Sequence, residues 1–196
     1  MHLPTRHGAR RRVEGFSLVE VIATTALLSL LGAMAMPSFE HLVNSNRLAS
    51  TSNALVALLH TARVEGTRNG ARVTVCTSAD GKYCGTEAGP ESGVLVTRSG
   101  KSRKAFPPEV LAFVEGRSPV SVSAGSLVSE GLRFGMDGMP PSGERAWVNQ
   151  TVLRVCVPTR RPANNIRDLV LMPAGRVKVI HSDGGGQCPP VGVAAN

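Results

Sequence analysis

Arg176 and Lys178 stand two residues apart, with Val177 between them and Val179 after. In a strand, that alternation sends both cations to one face and both valines to the other. Cations fixed in this way can meet anionic groups, phosphate oxygens among them. Arg160, Arg161 and Arg167 lie nearby in sequence and would extend the patch. From residue 154 onward there are six basic residues and two acids, Asp168 and Asp183, so this end of the chain is the positive one. About four phosphate contacts would make log K fall with log salt at a slope of roughly −3 to −4. Aromatic residues are only 4% of the chain, too few to read many stacked bases. A solvated basic face with no ligand is the plainer alternative.

A second group with chemical consequences is Glu20. It is the one charge in the 21 residues from Phe16 to Met36, FSLVEVIATTALLSLLGAMAM. As a helix that run is about 30 Å long, enough to cross a bilayer. A carboxylate inside it costs roughly 2.5–3.5 kcal/mol, and such a residue calls for a partner. Cutting the chain between Gly15 and Phe16 would supply one. The new amine lies one helical turn from Glu20, and in a stack of such helices Glu20 could neutralise a neighbour's amine instead. The preceding residues carry four arginines and Glu14, a net of +3, and would stay in the cytoplasm while the rest emerges on the far side. Ala33-Met34-Ala35 would suit a secretory signal, whereas Val13-Glu14-Gly15 after Arg11-Arg12 suits a twin-arginine address poorly. Neither gives Glu20 a use.

Enzymatic chemistry finds little support. No Ser-His-Asp order, phosphate loop or carboxylate pair stands out, and His41 and His60 have no second ligand at a useful spacing. Asp137, between Gly135 and Gly138, suits a turn. The four cysteines contain no C-x-x-C pair, so zinc is not expected. Neither a metal nor a cofactor is anticipated.

The elements that must position these groups follow from texture. The length, 196 residues with 42% hydrophobic content, suits one domain with an appended element. Removing residues 1–15 leaves 18 basic and 13 acidic residues, reducing the net charge from +8 to +5. From Ser38 to about Asn69 apolar residues recur at Phe39, Leu42, Leu48, Leu55, Leu58, Leu59 and Ala62, the spacing of an amphipathic helix. Gly66 and Gly70 sit where its terminators belong. Thereafter short β-rich runs alternate with turn residues: 72–77, 93–97, 110–115, 120–123, 132–134, 146–157, 166–172 and 176–180. A mainly antiparallel sheet is expected, with the long helix on one face completing the core. The fold class is α+β. The divisions are 1–15 leader, 16–36 membrane span, 37–70 amphipathic helix and 71–196 β-rich domain. Outside the cytoplasm disulfides persist. Of three possible pairings, the shorter-range set is Cys76–Cys84 with Cys156–Cys188, contributing about 2.5 and 3.5–4 kcal/mol by loop closure.

Gly15-Phe16-Ser17-Leu18-Val19-Glu20 after a basic leader resembles the processing signal of type IV pilins and pseudopilins. That resemblance implies a prepilin peptidase that cuts after Gly15 and methylates Phe16, with Glu20 acting in assembly, and a bend or melting point at Pro37. Further along, Asn46-Arg47-Leu48, residues 62–66 (ARVEG), 73–76 (VTVC), 134–138 (FGMDG), 153–156 (LRVC) and 173–178 (PAGRVK) resemble the GspH/FimT family. Its members are pseudopilins of type II secretion and minor pilins of type IV pili, and some FimT members bind DNA in natural transformation. Those DNA binders carry Gly-Arg-x-Arg where this chain has Gly175-Arg176-Val177-Lys178. Lysine brings a point charge without a planar fork, which phosphate binding tolerates better than bidentate base recognition does. The expected partners are other pilins or pseudopilins, the prepilin peptidase, the inner membrane and DNA. The expected location is the inner membrane with the C-terminal domain in the periplasm, then a filament.

Overall fold

The computed structural model describes residues 15–69, 73–85, 92–98, 108–139, 150–172 and 175–192. The leader arginines, Gly70 and the first residues of the run expected at 146–157 lie outside them. The chain divides into two units, residues 1–39 and 40–196.

Helix α1 covers Leu18–Asn69. It remains helical through Pro37, so the chain does not melt there. In the first unit every described side chain from Phe16 to Met36 is exposed, and this helix is long and apolar enough to cross a membrane. Three of its hydroxyl side chains are satisfied internally. Thr24 and Thr25 donate to the Val21 carbonyl at 3.0 and 2.8 Å, and Ser29 donates to that of Thr25 at 2.7 Å. Hydroxyls bonded to their own helix demand nothing from a hydrocarbon surround.

In the second unit the same helix has one buried stripe: Asn44, Leu48, Ser52, Leu55, Leu58, Leu59, Ala62 and Gly66. Steps of four and three residues keep these on one side of a 3.6-residue helix. Ser52 belongs there because its hydroxyl donates to the Leu48 carbonyl at 2.6 Å. Phe39 and Leu42, expected inside, are 67% and 55% exposed. At the level of Leu42 the inward position is Asn44, whose Nδ2 donates to the Arg161 carbonyl at 3.0 Å. Gly66 does not end the helix either. A Cβ there would lie 3.0 Å from the Gly135 carbonyl oxygen, so glycine permits a close approach inside α1.

Among the described residues eight strands follow: β1 (Val73–Ser78), β2 (Gly93–Arg98), β3 (Glu109–Val114), β4 (Ser121–Ala124), β5 (Leu132–Phe134), β6 (Gln150–Cys156), β7 (Ile166–Leu171) and β8 (Val177–Ser182). One turn of helix, α2 (Ser126–Ser129), separates β4 from β5. Every pairing is antiparallel. The strands form two sheets rather than one, ordered β3-β2-β1-β5 and β4-β6-β7-β8. Val73, Val75 and Phe134 from one sheet, and Leu153, Val155 and Leu169 from the other, join Leu48, Leu55 and Leu59 of α1 in a single core. Burying each such side chain stabilises by about 1.5–3 kcal/mol.

Candidate functional site

The turn between β7 and β8 decides where the cations point. Gly175 donates its N–H to the Met172 carbonyl at 3.2 Å, and Met172 donates to the Arg176 carbonyl at 2.7 Å. Gly175 has φ +69°. That is a left-handed conformation, which glycine adopts without steric cost. Register is thereby fixed. Val177 and Val179 pack against the core, while Arg176 and Lys178 are exposed. Neither cation makes an ion pair among the described residues.

The same register separates the other cations. Arg167 lies opposite His181, on the face shared by Leu169 and Leu171, so it points away from Lys178's side of the sheet. Its Nη1 donates to His181 Nε2 at 2.9 Å, and its buried Nε has no partner. Arg161 pairs with Glu40 at 3.8 Å. Arg160 is exposed and its side chain lies beside Gly186, where a Cβ would come within 2.9 Å of its Cγ. The five cations expected to form one patch therefore divide. Arg176 and Lys178 share a face, Arg160 lies by the tail, and Arg161 and Arg167 are engaged elsewhere.

Arg154 and Asp168 cancel within that end's charge. They meet on the Lys178 side in a two-pronged pair, Nε to Oδ1 at 2.7 Å and Nη2 to Oδ2 at 3.0 Å. Arg154 Nη1 also donates to the Pro189 and Pro190 carbonyls at 3.2 and 3.1 Å. Cys156–Cys188 covalently fixes the same tail, with Cα atoms 5.6 Å apart. Asn165 adds a hydrogen bond to the Gln187 carbonyl at 3.1 Å and receives one from the Gly184 N–H at 2.8 Å. Asp168 thus has its charge met by Arg154, leaving Lys178 uncompensated.

The second disulfide, Cys76–Cys84, closes a loop beyond β1. There Asp80 Oδ1 accepts the N–H groups of Lys82 and Tyr83 at 2.9 and 3.1 Å. Those two bonds favour the carboxylate and hold Asp80's pKa below the ordinary aspartate value.

At the other end, Gly15, Phe16 and Ser17 precede α1, and the first intrahelical bond runs from the Val21 N–H to the Ser17 carbonyl at 3.1 Å. Phe16 is 83% exposed. Glu20 lies in the first turn, where the helix dipole favours a negative charge. Among the described residues no group of three or more metal-ligating side chains is assembled.

A helix with an apolar, wholly exposed first half and an amphipathic second half buried against antiparallel sheets defines a pilin-like fold. Residues 51–175 match the family described as Type II transport protein GspH. The chain belongs to the GspH family. Two crystal forms of the type IV minor pilin FimU from Pseudomonas aeruginosa are similar to it at 20% identity. One has a TM-score of 0.45 and the match covers 67% of this chain and 91% of FimU; the other has 0.48, with 69% and 90% covered. No curated protein matches the sequence.

Proposed function

We propose that the chain is a minor pilin that binds the phosphate backbone of DNA, without sequence preference, through Arg176 and Lys178 during DNA uptake. In this reading a prepilin peptidase cleaves after Gly15 and methylates Phe16. The 16–36 span holds the protein in the inner membrane with the second unit in the periplasm, and Glu20 pairs with a terminal amine on filament entry. The carrying observation is the pair of exposed, unpaired cations set on one face by the Gly175 turn. Arg160 is the third available cation. Three phosphate contacts in place of four bring the expected salt slope to about −2.7.

Titration of the intact chain in neutral detergent with duplex DNA over a salt series tests this. The expected slope is near −3, falling to about −1 on joint replacement of Arg176 and Lys178 by Gln. An unchanged slope in that variant would remove the pair from the account. A second reading, a type II secretion pseudopilin with no DNA affinity, is favoured by the family's own description. Absence of duplex binding at low salt, with genes for an outer-membrane secretin alongside, would decide for it.

A further inference from the structure

A second turn stands against the one that carries Arg176. Gly135 donates to the Met139 carbonyl at 2.9 Å, and Gly138 to that of Gly135 at 3.0 Å. Asp137 Oδ1 accepts the Met139 N–H at 3.0 Å. The backbone from Gly135 to Met139 is therefore closed on itself, and it holds Met136 out at 73% exposure.

Glycines bring this turn into contact with its surroundings. A Cβ on Gly138 would lie 2.7 Å from the Thr67 methyl group of α1, and one on Gly175 would lie 3.1 Å from the Gly138 carbonyl oxygen. Arg63, half-buried, runs beside both glycines, and its Nη1 donates to the Gly175 carbonyl at 3.4 Å. Met136, two residues before Gly138, thus stands on a turn that touches Gly175, the residue before Arg176. Asp137, the acid within this turn, is engaged there, and Arg63 has no ion-pair partner among the described residues.

We propose that Met136 is an apolar wedge that enters a groove of double-stranded DNA and presses on a base step while Arg176 and Lys178 hold the flanking phosphates. The proposal rests on the DNA-binding reading above. An exposed apolar tip on a hydrogen-bonded turn, in contact with the turn that carries Arg176, complements a polyanion with stacked bases inside it; an apolar protein groove would leave the cations unmatched. Methionine is among the side chains that architectural proteins insert between base steps. The contact carries no sequence information beyond the ease with which a step opens.

The intact chain in neutral detergent is titrated with a duplex containing 2-aminopurine and, separately, with inorganic polyphosphate, an anion without bases. Met136→Ala should weaken duplex binding about tenfold, the scale of one buried methionine. It should leave the salt slope and polyphosphate binding unchanged and abolish the rise in 2-aminopurine fluorescence. Met136→Leu should retain that rise. Duplex binding by Met136→Ala equal to that of the parent overturns the wedge and leaves the DNA reading standing. An equal loss toward polyphosphate also overturns it, as does a defect confined to filament incorporation, which would make the turn a subunit contact. If the parent protein binds no duplex, both proposals fall together.

Discussion

At the residue scale, function turns on which charges remain uncompensated. Counting residues at the C-terminal end gives six bases and two acids, but the count hides that Arg154 is consumed by Asp168 and two tail carbonyls. The period of a strand does reveal Arg176 and Lys178, because each alternates with a valine. It says less about Arg167, whose face is shown only by its registry with Leu169 and Leu171. Arg161 was beyond reach of sequence reasoning, since its partner Glu40 is distant along the chain. Asp80 offers a residue-level check. Its pKa is depressed by two backbone bonds, so the loop stabilisation it provides is present above the unfolded-state value of about 3.9 and disappears as pH falls through the lower folded value. Protection factors of the Lys82 and Tyr83 amides should therefore drop on acidification below about pH 4. Asp80→Asn should remove that pH dependence. Persistence of it in the variant would assign the effect to another group.

Among elements, sequence texture locates all eight strands to within a few residues, because β-branched runs bounded by turn residues mark them clearly. It does not show that they divide into two sheets, for pairing such as β4 with β6 is a long-range choice. The inward stripe of α1 was partly misjudged for a related reason. Leu42 looks like a core residue by type, but the helix turns Asn44 inward at that level to meet the Arg161 carbonyl. Gly66 looks like a terminator and is instead a close contact. Two measurements belong to this scale. Leu55→Ala, at a fully buried position, should lower stability by about 2–5 kcal/mol in denaturant unfolding; a loss below about 1 kcal/mol would mean that α1 is not packed as described. Gly175→Ala should cost about 1 kcal/mol for its left-handed φ and more for contact with Gly138. It should also weaken DNA binding by disturbing the Arg176 register. Unaltered DNA affinity would separate the turn from the binding face. Reduction of Cys156–Cys188, or Cys188→Ser, should lower stability by about 3.7 kcal/mol on loop-closure grounds, read as a lower Tm.

For the whole molecule, the governing contrast is between a first unit whose apolar side chains are exposed and a second that buries its own. In water a helix bearing Leu27, Leu28, Leu30 and Leu31 in the open would aggregate; in a bilayer or a filament core the same surface is at home. This contrast was legible from the sequence as 21 residues with one charge. The role proposed for Glu20 depends on an amine that the proposed cleavage would create. Glu20→Ala should insert and be cleaved normally yet enter filaments poorly, as judged by its share of sheared filament protein. The most direct test is the intact mass of the chain recovered from membranes. The account predicts a polypeptide beginning at N-methylated Phe16 that keeps the whole apolar segment. A mass corresponding to a start after Ala35, with that segment discarded, would contradict it.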